Sequence, residues 1–320
     1  MSYNQERYIR HTLDCLLAQQ CSYSFEIIIG DDGSKDNSRA IILEYQQKHP
    51  GIIKIMPEAP NKGILRNYAD IVKACSGKYI AFCHCDDYWH DPLKLEKQVS
   101  FLEKNPDYEF IHTNANVYIE NLDKTIPAFN TINQKNIPSG EVFESFFTSK
   151  FFIFTCSACY TRSAIEKYVN FDEFIQADFM YEDLPTWIEL SKNIKFKYLE
   201  DATITYRVVE DSHSHPKQKE RKFVLLKAHH HMKKHFIKKY DIDKKIELEF
   251  DLQYHRNKFN VAYTLNNYMQ AEDSYDFLKM HKQADIRVRF KKLALGVPLL
   301  HKSIRNFKML NPFKNPVTGA

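Results

Sequence analysis

No apolar run in this 320-residue sequence is long enough to cross a bilayer. The longest uncharged apolar stretch, Phe151 to Tyr160, falls well short of the ~18 residues that a span needs. The N-terminus, Met1-Ser2-Tyr3-Asn4, is polar and carries no apolar segment, which excludes a secretory signal in the chain as it stands. Seven cysteines, an odd number without an export signal, read as reduced thiols rather than a disulfide framework. Internal repeats and low-complexity tracts are lacking too. What is left is an ordinary globular composition, 43% hydrophobic and 27% charged, with length enough for a sizeable core. The expectation is a cytoplasmic globular protein.

The net charge of +4 hides an asymmetry. Residues 1–215 hold 22 Lys and Arg against 31 Asp and Glu, a balance of −9. Residues 216–320 hold 23 against 10, a balance of +13. An acidic part followed by a basic part suggests two jobs on one chain.

The first hundred residues alternate strand and helix patterns. Phe25 to Gly30 is a short β-branched run suited to a strand buried on both faces. A turn cluster, Asp31 to Asn37, leads into a helix from Ser38 to about His49, and Ile52 to Met56 reads as the next strand. Leu65 to Cys75 is helical, with Gly77 at its stop, and Lys78 to Cys83 is a strand ending in His84-Cys85-Asp86-Asp87. Asp91-Pro92 supplies a helix start, and that helix runs to Asn105. Such alternation predicts an α/β fold with a mostly parallel sheet. Strand-like runs recur at Phe110–Ile119, Phe152–Tyr160, Lys195–Leu199 and Ala202–Val209, with a short helix at Leu184–Lys192. Beyond Pro216 the pattern is helical and basic. Ser2 to Glu6 looks like the loop after a strand with no strand before it, so a first strand is expected to be missing and Met1 to be an internal methionine.

Two of these strands end in adjacent acids, Asp31/Asp32 and Asp86/Asp87. In open α/β sheets ligands sit beyond the carboxyl ends of the strands. Four carboxylates at one sheet edge repel one another unless a cation joins them, and a divalent cation with a diphosphate ligand meets that need. A single pair reads equally well as a turn or a helix cap. A third acid site, Glu182-Asp183, stands at the start of a helix, where Asp183 serves as a cap, as a general base, or as both.

Taken in order, Tyr3-Asn4, Asp31-Asp32-Gly33-Ser34, Asn61-Lys62-Gly63 with Arg66-Asn67, Gly77 to Ala81 leading into Asp86-Asp87-Tyr88-Trp89, and Glu182-Asp183 resemble a family-2 glycosyltransferase of the GT-A fold. The resemblance covers roughly residues 2–215 and points to bacterial surface-polysaccharide enzymes. It implies a GT-A domain with a nucleotide-sugar-binding part (1–109), an acceptor-binding and catalytic-base part (110–215), and a helical basic extension (216–320). Asp31 would contact the nucleotide base, with Ser2 and Tyr3 lining the pocket and Asp32 beside them. Arg66 would help to hold the nucleotide, Asp86 would ligate a Mn2+ or Mg2+ ion, and Asp183 would deprotonate the acceptor hydroxyl. Trp89 and Glu182 are candidates for the acceptor side. The implied reaction is an inverting, metal-dependent transfer from a nucleotide-sugar, expected to be UDP-linked, to a glycan or lipid-linked hydroxyl; the alternative is an inactive nucleotide-sugar-binding or scaffold protein.

His84 stands where the family generally has an acid, and it is open to three readings: a partner for a ribose hydroxyl, a metal ligand, or a mark of weakened donor binding. His213 and His215 are candidates for a C-terminal metal ligand. Cys83-His84-Cys85 with Cys156 and Cys159 has the residue types of a zinc site, but the strand-like setting argues against one. His229-His230-His231 and His235 read as the solvated face of a Lys-rich helix. Residues 287–314 hold eight Lys and Arg and no acid, interleaved with Ile286, Val288, Phe290, Leu293 and Leu295. That pattern suits either contact with an anionic inner leaflet through residues 286–314 or a helix packed on the catalytic domain. No nucleic-acid-binding module accompanies the basic segment, and no nucleic-acid partner is expected.

Overall fold

The computed structural model describes residues 1–134, 137–148, 151–209 and 219–295, divided between two compact units, Met1–Val208 and Val209 onward.

The first unit opens with α1 (Ile9–Leu17), which buries Ile9, Thr12 and Leu13 along one face. β1 (Ile27–Ile29) and β2 (Ile53–Ile55) pair in parallel, in register Ile28 to Lys54, across α2 (Ser38–Lys48). The crossover brings Ile9, Leu13, Ile29, Ile41, Ile42 and Ile53 into one cluster, each worth about 1.5–3 kcal/mol of burial. Next come α3 (Ile64–Ala74), β3 (Tyr79–Ala81) and α4 (Lys94–Lys104). The Asp91 carboxylate accepts from the Leu93 N–H at 2.9 Å, shaping the turn before α4.

A second sheet follows. It holds β4 (Tyr108–Ile119), β5 (Lys124–Ile126), β6 (Cys159–Thr161) and β7 (Lys195–Val208), with β3 at its edge. Between these strands lie α5 (Phe129–Asn133), α6 (Ser145–Thr148), α7 (Arg162–Tyr168), α8 (Phe171–Gln176) and α9 (Asp183–Asn193). The strand order is β3-β6-β4-β5, with β7 also on β4. The α/β class holds, but the pairing is mixed. β1/β2 and β4/β7 are parallel, whereas β3/β6, β6/β4 and β4/β5 are antiparallel. Two expected strands differ as well. Phe152 to Ala158 is a loop with one 3₁₀ turn, and only Cys159–Thr161 pairs. The runs at Lys195 and Ala202 are one strand, β7, whose register shifts absorb the residues between them.

No strand lies between β1 and β3 among the described residues, and the sheet is split there. Met1 and Ser2 alone bridge the gap. Ser2 N–H donates to the Gly30 carbonyl (3.0 Å) and Asp32 N–H to the Ser2 carbonyl (2.9 Å). On the other side the Met1 ammonium donates to the Cys83 carbonyl (3.1 Å) and Cys85 N–H to the Met1 carbonyl (3.0 Å). Two residues thus tie the ends of β1 and β3 together beside both acid pairs.

The second unit comprises α10 (Lys219–Lys239), α11 (Lys244–Leu265), α12 (Tyr268–Met280) and α13 (Ile286–Leu295). Phe259, Ala262, Ala271, Leu278, Val288 and Leu295 form its core. His230 is not on a solvated face. It bonds to Asp251 at 2.9 Å and stacks on Tyr254, ring centroids 3.7 Å apart. Among the described residues no helix is long and apolar enough to cross a membrane.

Candidate active site

The two acid pairs and the Glu182-Asp183 pair come from three separate stretches, and the fold gives each carboxylate a different setting. Asp31, buried after β1, accepts from the Ser34 N–H at 3.2 Å and from the Ser34 hydroxyl. Asp32 is spent on the neighbouring loop. Its two oxygens accept from Lys62 N–H (2.9 Å) and Gly63 N–H (3.0 Å), and its carbonyl accepts from the Asn61 amide (3.0 Å). Gly33 makes this approach possible. Its φ is +72°, and a Cβ there would stand 2.8 Å from the Asn61 nitrogen. Ser2 is buried and Tyr3 exposed beside this loop end. Arg66 is exposed on α3, and its guanidinium makes no hydrogen bond or ion pair to another described residue.

The loop after β3 is pinned on several sides. The Thr12 hydroxyl bonds to the carbonyls of Cys85 (3.0 Å) and Asp87 (2.6 Å). Tyr88 exchanges two backbone bonds with Thr205 of β7. Arg207 of β7 donates from Nε to the Asp86 carbonyl (2.9 Å) and from its backbone N–H to the Asp87 carboxylate (2.8 Å). Its guanidinium lies over the rings of Tyr8, Tyr88 and Tyr118, 4.9 to 5.6 Å from their centroids. Asp87 therefore turns inward and is buried, and burial together with the Asp86 charge raises its pKa. Asp86 differs: its carboxylate makes no hydrogen bond or ion pair to another described residue.

Asp183 is the first residue of α9, with its carboxylate at the positive end of the helix. One oxygen accepts from the Leu184 N–H (2.6 Å), the other from the Thr155 hydroxyl (2.7 Å). Burial and the neighbouring Glu182 charge nonetheless raise its pKa to about 6, the two hydrogen bonds offsetting part of the rise. A carboxylate so tuned is ionised at neutral pH yet basic enough to take a proton. Glu182, only 2% exposed, faces away from open solvent and meets the His84 Nε2 at 3.2 Å. Burial disfavours the imidazolium form, but the Glu182 carboxylate overrides this and the His84 pKa is raised.

Trp89 stands in the core. It is 6% exposed, its indole N–H bonds to the Cys156 carbonyl at 3.0 Å, and the Lys94 ammonium sits 4.1 Å from its ring centroid. The fold thus brings together Asp86, His84, Glu182 and Asp183, and it buries Trp89 against the loop that carries Cys156. His213 and His215 lie outside the described residues. Two residues against the site carried no local signal. Thr155 is one hydroxyl in an aromatic-rich loop, and Arg207 is one cation in a strand. The pairing of β7 with the acid loop reveals the role of Arg207, and the approach of the Thr155 loop to the start of α9 reveals that of Thr155.

Among the described residues no group of three or more His, Cys, Asp or Glu side chains could by itself hold a metal ion, zinc included. A hard divalent cation asks for less, because it is commonly held by one or two carboxylates plus substrate phosphates and water. The unpaired Asp86 carboxylate fits that pattern. Such an ion would supply charge neutralisation for a departing diphosphate.

The sequence profile described as glycosyl transferase family 2 matches residues 1–169. An uncharacterized protein of Mycobacterium tuberculosis is 44% identical over 107 residues, 33% of this chain and 31% of its own length. The match therefore spans about a third of such curated relatives. An Escherichia coli protein named UDP-Glc:alpha-D-GlcNAc-diphosphoundecaprenol beta-1,3-glucosyltransferase is 34% identical over 120 residues, 36% of this chain and 46% of its own. Residues 1–349 of S. aureus TarS, solved with UDP-GlcNAc, superpose with a TM-score of 0.56 at 16% identity, covering 99% of this chain and 93% of that one. A mannosyltransferase from Pyrobaculum calidifontis, solved with GDP-Man and Mn2+, gives 0.54 at 16% identity, with 96% and 82% covered. These similarities establish the fold, and with the profile covering more than half of the sequence, the chain belongs to glycosyl transferase family 2.

Proposed function

We propose that the chain transfers a sugar from a nucleotide-sugar to a hydroxyl of a glycan acceptor, with inversion at the anomeric carbon. The observation that carries this reading is the convergence of an unpaired acid, Asp86, and a tuned base, Asp183, through the contact of His84 with Glu182. Asp183 takes the acceptor hydroxyl proton. The oxygen forms its bond to the anomeric carbon as the bond to the diphosphate breaks, and the nucleoside diphosphate leaves with that electron pair. No protein nucleophile is required, and the proton remains on Asp183. Asp31, Tyr3 and Arg66 would bind the nucleotide, and Asp86 would hold a divalent cation. UDP is the favoured nucleotide because the E. coli relative's name and the TarS complex both carry it. A lipid-linked oligosaccharide is the favoured acceptor, since the E. coli relative's name specifies one.

The second unit supports placement at the cytoplasmic face of a membrane. Ile286, Phe290 and Leu293, spaced along one helical face of α13, are 81%, 51% and 71% exposed, with Arg287 and Arg289 exposed beside them. An apolar stripe with flanking cations suits an anionic bilayer surface. The remainder of the basic segment, 296–314, lies outside the described residues.

The test is thermal stability with UDP, GDP and TDP, each with and without manganese, followed by transfer from the matching nucleotide-sugars. A nucleotide at about 100 times its dissociation constant adds ~2.7 kcal/mol, a shift of a few degrees. A manganese-dependent shift with one nucleotide, followed by transfer, is expected. Binding without transfer across a broad acceptor panel would favour a nucleotide-sugar-binding scaffold. No binding at all would overturn both.

A further inference from the structure

We propose that His84 and Glu182 form a strut that sets the donor-side acid loop and the base-bearing end of α9 together, so that both are positioning residues. The inference rests on the functional reading above and assigns the roles of two residues within it. The sequence offered His84 as a ribose partner, a metal ligand or a mark of weakened donor binding, and Glu182 as an acceptor contact. In the folded chain the two side chains meet each other, 3.2 Å apart and 98 positions apart in sequence.

Three observations carry the strut. First, Glu182 is buried, so its polar carboxyl oxygens demand a hydrogen-bonding partner, and His84 supplies one. Second, the Phe82 ring packs edge-on against the imidazole, centroids 5.0 Å apart, which limits His84 to a narrow range of orientations. Third, a separate tie runs in parallel. Trp89, just beyond the acid loop, holds the Cys156 carbonyl, and the adjacent Thr155 holds the Asp183 carboxylate. Two ties join the same two elements. Asp86 lies two residues from one end of the strut, and Asp183 is the residue next to the other. Movement of either end shifts a carboxylate that acts on a different substrate.

The test is a double-mutant cycle with His84→Phe and Glu182→Met, apolar replacements of similar bulk. Three quantities are read: ligand-free melting temperature, the donor KM with its manganese half-saturation, and kcat. Each single variant leaves its partner's buried polar atoms unpaired and should lower the melting temperature, whereas the double variant should recover most of the loss. Each single should raise the donor KM and lower kcat, by about tenfold in total, and the double should be no worse than either single. The manganese half-saturation should rise to a similar extent in both single variants and in the double, because either break releases the Asp86 loop. Additive effects would overturn the strut. So would a manganese half-saturation that rises only in His84→Phe, or an acceptor KM that alone changes in Glu182→Met. If either apolar variant fails to fold, His84→Asn and Glu182→Gln keep the shape and should show the same pattern in smaller measure. Failure of the wild type to bind any nucleotide would sink the functional reading, while the ligand-free stability cycle would still report the strut.

Discussion

Replacing Thr155 with valine removes one methyl-sized hydroxyl from the Asp183 carboxylate and nothing else of similar reach. The hydroxyl donates at 2.7 Å to the charged form, and it is one of two donors that counter burial and the Glu182 charge. A hydrogen bond to an ionised group is worth about 1.5–3 kcal/mol, and one pKa unit corresponds to ~1.4 kcal/mol. Asp183 is half-buried, so the lower end applies, and Thr155→Val should raise its pKa by about one unit. The base must be ionised to act, so the rate falls on the acid side. In the wild type the limb should be centred near pH 6, where Asp183 titrates. In the variant it should move to about pH 7, costing roughly fivefold at pH 6 and little at pH 8.5. The assay is initial transfer rate at saturating donor from pH 5 to 9, with Thr155→Ser expected to restore the wild-type limb. A lower plateau with an unmoved limb would show that Thr155 only packs. A wild-type rate that is flat between pH 5 and 7 would remove Asp183 as the base.

Asp183→Asn should abolish transfer, leave nucleotide binding nearly intact and raise the melting temperature by a few degrees at pH 7. The sign follows from a folded pKa near 6, above the ordinary aspartate value of about 4: the folded state holds the proton more tightly, so this group's contribution weakens as pH climbs from about 4 to about 6. A fall in melting temperature would contradict the placement. Glu26 is the opposite case. Burial opposes its charge, but Lys54 Nζ, Ser76 Oγ and Ser76 N–H, each at 2.7 Å, pull its pKa down to about 2. Its stabilisation is full above pH ~4.5 and fades as pH drops toward 2. Glu26→Gln should cost about 1–2 kcal/mol at pH 7 by denaturant unfolding, with the gap to wild type narrowing in acid. Gly33→Ala places a Cβ 2.8 Å from the Asn61 nitrogen at a φ of +72°. It should weaken nucleotide binding and lower stability by about 1–2 kcal/mol, and an unaffected variant would show that the loop yields freely.

The order of elements in the first hundred residues was legible because β-branched runs and helical periods are local properties. α2, β2 and α3 lie where their patterns place them. The Phe152–Ala158 run misled because an aromatic-rich stretch buries equally well as a coiled loop. It packs without pairing, and only Cys159–Thr161 reaches the ladder. Asp31, Asp86 and Asp183 were visible as acids at strand ends and at a helix start, positions that local sequence marks. Their division of labour was not. Asp32 holds the Asn61–Gly63 loop, Asp87 turns inward to the Arg207 backbone, and Asp86 stays unpaired, although both pairs read alike in sequence. The burial of Trp89 against the Cys156 carbonyl was not legible either, because an aromatic beside an acid loop gives no sign of which way it faces.

The sequence by itself determined the alternation of strands and helices, the family, and the acids that can do chemistry, because each depends on short-range pattern. Tertiary structure alone decided which acids are free, which carboxylate is tuned toward pH 6, and that His84 meets Glu182. Burial, charge proximity and hydrogen-bond direction are set by residues tens of positions apart, and no local pattern encodes them.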